Sequence, residues 1–162
     1  MTKSHFANLC FAFALISPLF VVQAEDVNTV TLLWHNAVIQ PGQASLPNKK
    51  PWVIREREIA FDPLALATVK DAAARPHHPL TIELFDGRTY ELDITSTVSR
   101  ISDLSGVRGT LKHTLRSAWS LVINGPLVNG TFQVGDRLYK VEHVQNGRHR
   151  LHEVDPTKLP PE

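Results

Sequence analysis

Cysteine is nearly missing from this 162-residue chain: the one example, Cys10, lies inside an apolar stretch near the start. If that stretch is removed on export, the remaining protein has no thiol. It then has no disulfide, no cysteine nucleophile and no cysteine–zinc site, and a packed core alone must hold it together. Charge of a dominant sign is also missing. Lys and Arg number 17 against 16 Asp and Glu, and Lys3 is the only charged side chain among the first 24 residues. The rest is balanced, so it carries no electrostatic footprint for nucleic acid or an anionic membrane. No Gly-x-Ser-x-Gly elbow, no phosphate-cradling glycine loop, no internal repeat and no low-complexity stretch occurs.

What is present begins at the amino terminus. Met1 to His5 is short and basic, residues 6–22 are almost wholly apolar, and Val22-Gln23-Ala24 ends the run with a small-x-small pattern. These are the three parts of a secretory signal peptide, with the cut predicted after Ala24. Pro18 and the switch to Glu25-Asp26 argue against a spanning helix, which needs about 20 apolar residues. Cys10 sits mid-segment, not at its end, unlike a lipoprotein cysteine. The expected product is residues 25–162, secreted or periplasmic and free of the membrane after cleavage, with 25–155 as a single domain and 156–162 as a proline-rich tail. A domain of that size can bury its own core.

The texture of the domain is mainly β. Residues 29–38 are rich in β-branched and aromatic types and predict a strand; 41–51 read as a loop; 52–61 predict a strand with one wet face. Asp62-Pro63 opens a short helix expected to end near Arg75-Pro76. Residues 80–85 and 90–98 alternate around Asp86-Gly87, a hairpin turn signal. Residues 103–109, with two glycines, read as a loop. Short strands are expected at 110–115, 119–123, 131–134, 137–144 and 149–154, separated by Asn124-Gly125, Asn129-Gly130, Gly135-Asp136 and Asn146-Gly147. The pattern predicts an antiparallel meander, closed as a sandwich or partial barrel, with one short helix. The tail should be extended or disordered.

The densest set of chemistry-bearing residues is His149-Arg150-Leu151-His152-Glu153, with His143 one strand earlier. It lacks the second histidine of a His-Glu-x-x-His zinc helix, and Pro156 would break such a helix. On a strand His149 and His152 point to opposite faces, so they cannot grip one ion without a bulge, and they read as exposed strand histidines. His77-His78, between Pro76 and Pro79, makes a poor chelate. Ser105, Ser117 and Ser120 have no motif that brings them a histidine and a carboxylate. Glu83, Glu91 and Asp93 sit on one hairpin, where a glycosidase-like pair is possible but a wet strand face is the plainer reading. Trp34, Trp52, Trp119 and Tyr139 fall in strands, as core or as an exposed stacking platform. No metal, no cofactor and no enzymatic activity are expected.

From Gly106 onward the order is Gly-Val-Arg-Gly, a polar strand, Trp119-Ser120-Leu121-Val122-Ile123-Asn124-Gly125, Val128-Asn129-Gly130-Thr131-Phe132, Gly135-Asp136-Arg137-Leu138-Tyr139, Asn146-Gly147-Arg148-His149, Glu153-Val154-Asp155-Pro156 and Leu159-Pro160-Pro161. This run resembles the end of the N-terminal pro-region of secreted bacterial zinc metallopeptidases of the reprolysin (adamalysin-like) type. Arg55 to Phe61 and residues 80–90 fit such a region more loosely. In that family a catalytic domain follows, whereas this chain stops at Glu162. The resemblance implies a stand-alone pro-region that inhibits a metallopeptidase or helps it fold. Animal relatives block the zinc with a cysteine; here His149, His152, Glu153, Asp155 and Leu159, near the tail, would contact the partner. An extended, proline-rich tail could add to an enzyme's edge as a strand with little entropy to lose. The alternatives are a periplasmic or cell-surface module that binds a ligand or polymer through exposed aromatics, and a relic of a truncated protease.

Overall fold

The computed structural model describes residues 30–38, 49–73, 75–99, 103–145 and 147–160. The expected signal peptide lies outside the described residues. Among the described residues ten strands form one sheet: β1 (Thr31–Leu32), β2 (Trp34–Asn36), β3 (Val53–Phe61), β4 (Leu80–Glu83), β5 (Thr89–Ser99), β6 (Leu104–Leu111), β7 (Ser117–Asn124), β8 (Leu127–Val134), β9 (Arg137–Gln145) and β10 (Arg148–Val154). A helix, α1 (Pro63–Asp71), follows β3, and a 3₁₀ turn (Pro156–Lys158) follows β10.

The strand order is β1-β4-β5-β6-β7-β8-β9-β10-β3-β2. β1 and β2 stand at opposite ends of that order yet are one extended segment interrupted at Leu33. The segment pairs in parallel with β4 through Thr31 and Leu32 and antiparallel with β3 through Trp34 to Asn36. Leu33 belongs to both seams, donating its N–H to the Thr81 carbonyl at 2.8 Å and accepting from the Asp62 N–H at 3.0 Å. One strand therefore laces the two edges together, and the sheet becomes a nearly closed, β-rich barrel. Closure is how such a sheet avoids presenting an unpaired edge.

Alternation along each strand fills the interior. Trp119, Leu121 and Ile123 of β7, Val128 and Phe132 of β8, Tyr139 and Val141 of β9 and Leu151 of β10 are all buried. Trp34 meets Phe61 and Phe132 edge-on at 5.6 and 5.3 Å, and Trp119 stacks on Phe132 at 6.0 Å. These are the offset and edge-to-face geometries that aromatic quadrupoles favour.

Five expectations are corrected here. Residues 103–109 are not a loop but most of β6. A Cβ on Gly109 would lie 1.9 Å from the Asp93 carbonyl oxygen and 3.0 Å from the Trp119 ring, so glycine there lets the indole lie across the strand. Asn129-Gly130 is not a turn but the middle of β8, where a Cβ on Gly130 would lie 2.4 Å from both Leu121 Cδ2 and the Ser120 carbonyl. The strand expected at 110–115 ends at Leu111, and residues 112–116 turn, with His113 and Arg116 at positive φ. The start of the expected tail is structured. The Asp155 N–H donates to the Trp52 carbonyl at 2.8 Å, and its carboxylate caps the 3₁₀ turn by accepting from the Thr157 N–H at 3.0 Å. The helix begins as expected, with Asp62 accepting from the Ala65 N–H at 2.8 Å, but it ends at Asp71.

Candidate partner-binding surface

The five residues assigned to partner contact are dispersed by the alternation of β10. His149, Leu151 and Glu153 point into the barrel; Arg150 and His152 point out. His149 and His152 are each 2% exposed and Glu153 7%, so none is an exposed strand residue. Their burial corrects the sequence reading of the two histidines. Asp155 holds the cap just described, and Leu159 is half-buried beyond it.

At the end of the barrel near the tail, charge closes the interior. Arg55 pairs with Glu153, and Arg57 bonds the Glu83 carboxylate at 3.1 Å and its carbonyl at 2.5 Å. Both guanidinium groups lie over Phe85, at 4.9 and 5.4 Å, and Phe85 stacks on Tyr139. Glu83, Glu91 and Asp93 do not form a carboxylate pair: Glu83 faces Arg57, Glu91 takes Lys112 at 2.5 Å, and Asp93 takes the Thr110 hydroxyl at 3.4 Å.

The outer face of β3, β9 and β10 carries an ionic wall. Arg148 bonds Glu58 at 2.8 Å through Nε and 2.5 Å through Nη2, and Arg150 lies 3.4 Å from Glu56. His152 sits between Glu56 at 3.7 Å and Glu142 at 3.5 Å, and Lys50 reaches Glu142 at 3.4 Å. Burial holds the His152 pKa below its ordinary value, although both carboxylates pull the other way. These charges hold one another; they present no open cluster. Among the described residues no three His, Cys, Asp or Glu side chains gather as a metal site.

The exposed binding features lie at the opposite end. A bulge between Ile94 and Ser96 shifts the phase of β5, so Val98, which simple alternation from Leu92 and Ile94 would place inside, faces out. It pairs with Gly106, which pairs with Val122. Val98 and Val122 are 54% and 53% exposed. A Cβ on Gly106 would meet nothing within 4 Å, so its absence leaves a floor open between the two valines. With Leu104 beside it, this makes an apolar groove of about 300 Å³ on the outer wall. Sequence reasoning missed it; the signal was Val122, an outward valine between Ser120 and Asn124.

Around the rim, where Asp103 precedes Leu104, lies a mouth pocket of about 390 Å³ between α1 and the turns that follow β7 and β9. Phe61, Leu66 and Pro126 give it apolar walls; Lys70 and Asp103, paired at 2.6 Å, stand at its edge; His149 lines it from within. Burial, helped by the neighbouring His143 ring at 5.1 Å, pushes the His149 pKa down to about 4, partly offset by the Gly147 and Pro126 carbonyls.

No family model and no curated protein matches this chain. A chain in the solved structure described as "Structure of a chaperone-substrate complex" is similar with a TM-score of 0.56 and 10% identity, over 85% of this chain and 98% of that one. At that identity the likeness shows the fold alone.

Proposed function

We propose that this protein is an exported, non-enzymatic binding protein, a stand-alone pro-region-like inhibitor or folding chaperone of a secreted zinc metallopeptidase. The observation that carries the reading is the glycine-floored apolar groove at Val98, Gly106 and Val122. Two valines more than half exposed on strands that flank β6, with Gly106 between them, form a preorganised surface for an apolar segment of another protein. The resemblance of residues 106–162 to metallopeptidase pro-regions supplies the class of partner. The barrel's likeness to a chain from a chaperone–substrate complex accords with it. The barrel interior is filled by side chains, which suits a protein that acts through its surface. The polymer-binding alternative called for exposed aromatics; Trp34, Trp119 and Tyr139 are at most 3% exposed and Trp52 alone of the four is half-buried, which makes no stacking platform, so the observations favour the protein partner.

The test is capture from the producing cell's envelope and medium, with the exported protein, affinity-tagged, as bait. A zinc metallopeptidase should be retained and its activity should change in proportion to added bait. Val98→Glu and Val122→Glu should abolish capture while leaving the circular dichroism spectrum intact. Retention of no protease, or full retention by both variants, would defeat the reading.

A further inference from the structure

Taken as the docking surface proposed above, the groove at Val98, Gly106 and Val122 carries more than an apolar floor. It follows β6. Leu104, Gly106 and Arg108 share the outer face of that strand, with Val98 of β5 and Val122 of β7 as banks. A second hollow of about 290 Å³ shares Val98, Gly106 and Val122 and extends the groove to Ser96, Arg108 and Ser120. The bulge fixes this part of the wall: Thr95 donates its hydroxyl to the Arg108 carbonyl at 3.1 Å.

Arg108 differs from most arginines of the chain. Arg55, Arg57, Arg116, Arg148 and Arg150 each hold a carboxylate within 3.4 Å. Arg108 is exposed, and its guanidinium makes no ion pair or hydrogen bond with any described residue. The rows around it offer no acid. Ser96, Arg108, Ser120 and Thr131 pair across four strands, as do Val98, Gly106, Val122 and Asn129, and Arg108 is the only charge among them. A planar head with five donors beside an apolar notch suits a carboxylate, which it can take bidentately.

Spacing sets the pattern. Leu104, Gly106 and Arg108 stand two residues apart, about 6.7 Å per step along β6. An extended segment laid over them repeats its same-face side chains at that interval. We infer that the groove takes an extended protein segment reading apolar-x-apolar-x-acid, in one chain direction or the other. The middle apolar side chain fills the place left open at Gly106, the outer one packs on Leu104, and an Asp or Glu carboxylate pairs with Arg108. The apolar contacts hold the segment, and the ion pair selects its sequence and register.

The ¹⁵N-labelled protein is titrated with acetyl-Ser-Leu-Ser-Leu-Ser-Glu-Ser-amide, with the reverse order acetyl-Ser-Glu-Ser-Leu-Ser-Leu-Ser-amide, and with the Gln-for-Glu twin of each, to about 10 mM, and amide shifts are followed by NMR. Saturable shifts at Gly106, Arg108 and Val122 are expected with at least one glutamate peptide, about threefold tighter than with its glutamine twin. Arg108→Gln should erase that preference. Gly106→Val should abolish saturation; a Cβ there meets nothing within 4 Å, and the rest of the amide spectrum reports that both variants fold. Equal binding of the Glu and Gln peptides, a preference that survives in Arg108→Gln, or undiminished binding to folded Gly106→Val would overturn the inference. So would saturation by no peptide, saturation by decanoate alone, which assigns a fatty acid, or shifts that grow with protein concentration alone, which assign a second copy of this chain. The docking reading itself fails on a different result, capture that survives Val98→Glu and Val122→Glu, so the two failures are distinguishable.

Discussion

His149 makes stability depend on pH. Its ordinary value is 6.5, and burial beside His143 lowers it to about 4 in the folded protein. Between those values the unfolded chain binds a proton that the folded chain refuses. The contribution is therefore complete above pH 6.5 and is lost as pH falls toward 4. His152, held low by burial with Arg150 and Lys50 adding to it and Glu142 and Glu56 pulling the other way, acts in the same direction. Urea unfolding should show a plateau near neutrality and a drop of roughly 2–3 kcal/mol by pH 4. A His149→Gln protein should lose most of that slope; an unchanged slope would place the acid sensitivity elsewhere. Neither histidine's burial was legible in sequence. His149-Arg150-Leu151-His152-Glu153 alternates with charge and looks wet, and only the pairing of β10 between β3 and β9 shows that ionic partners cover one face and aromatic rings the other.

At the scale of elements, glycine did two jobs that composition cannot distinguish. Gly125 and Gly135 sit at positive φ in hairpin turns, as Asn-Gly and Gly-Asp dipeptides promise. Gly109 and Gly130 instead lie inside strands, where a neighbour's side chain or carbonyl occupies the place of a Cβ. Gly109→Ala should lower the unfolding free energy by at least about 2 kcal/mol, because the obstructing atom is backbone and cannot swing away. Gly106→Ala, with open space at its Cβ, should cost under about 1 kcal/mol, and chemical denaturation of the pair provides the check. The bulge in β5 is the same kind of event: one extra residue reverses the facing of Val98 and so makes half of the groove.

For the whole molecule, closure rests on one short segment. Trp34 is 1% exposed, touches Phe61 and Phe132, and donates its indole N–H to the Glu83 carbonyl at 3.2 Å, tying the seam to the interior. Trp34→Ala should cost about 3–5 kcal/mol. It should also promote association, because release of this segment bares the edges of β3 and β4. Thermal unfolding followed by light scattering would register both; a monomeric, barely destabilised variant would show that the seam holds without it.

What sequence alone determined is the local part. Period-two alternation gave the strands, Asp62-Pro63 the helix start, Asp86-Gly87, Asn124-Gly125 and Gly135-Asp136 the turns, and together these gave a mainly β meander with one short helix. Each depends on residues close in the chain, where backbone propensity and side-chain periodicity act directly. What only the tertiary structure decided is everything that joins distant residues: the lacing of both edges by residues 31–36, the strand glycines beneath Trp119 and Leu121, the burial of His149 and His152, and the two apolar recesses at one end. Those depend on which strands become neighbours and in what register, a choice made by burial of the whole core rather than by any local run of residues.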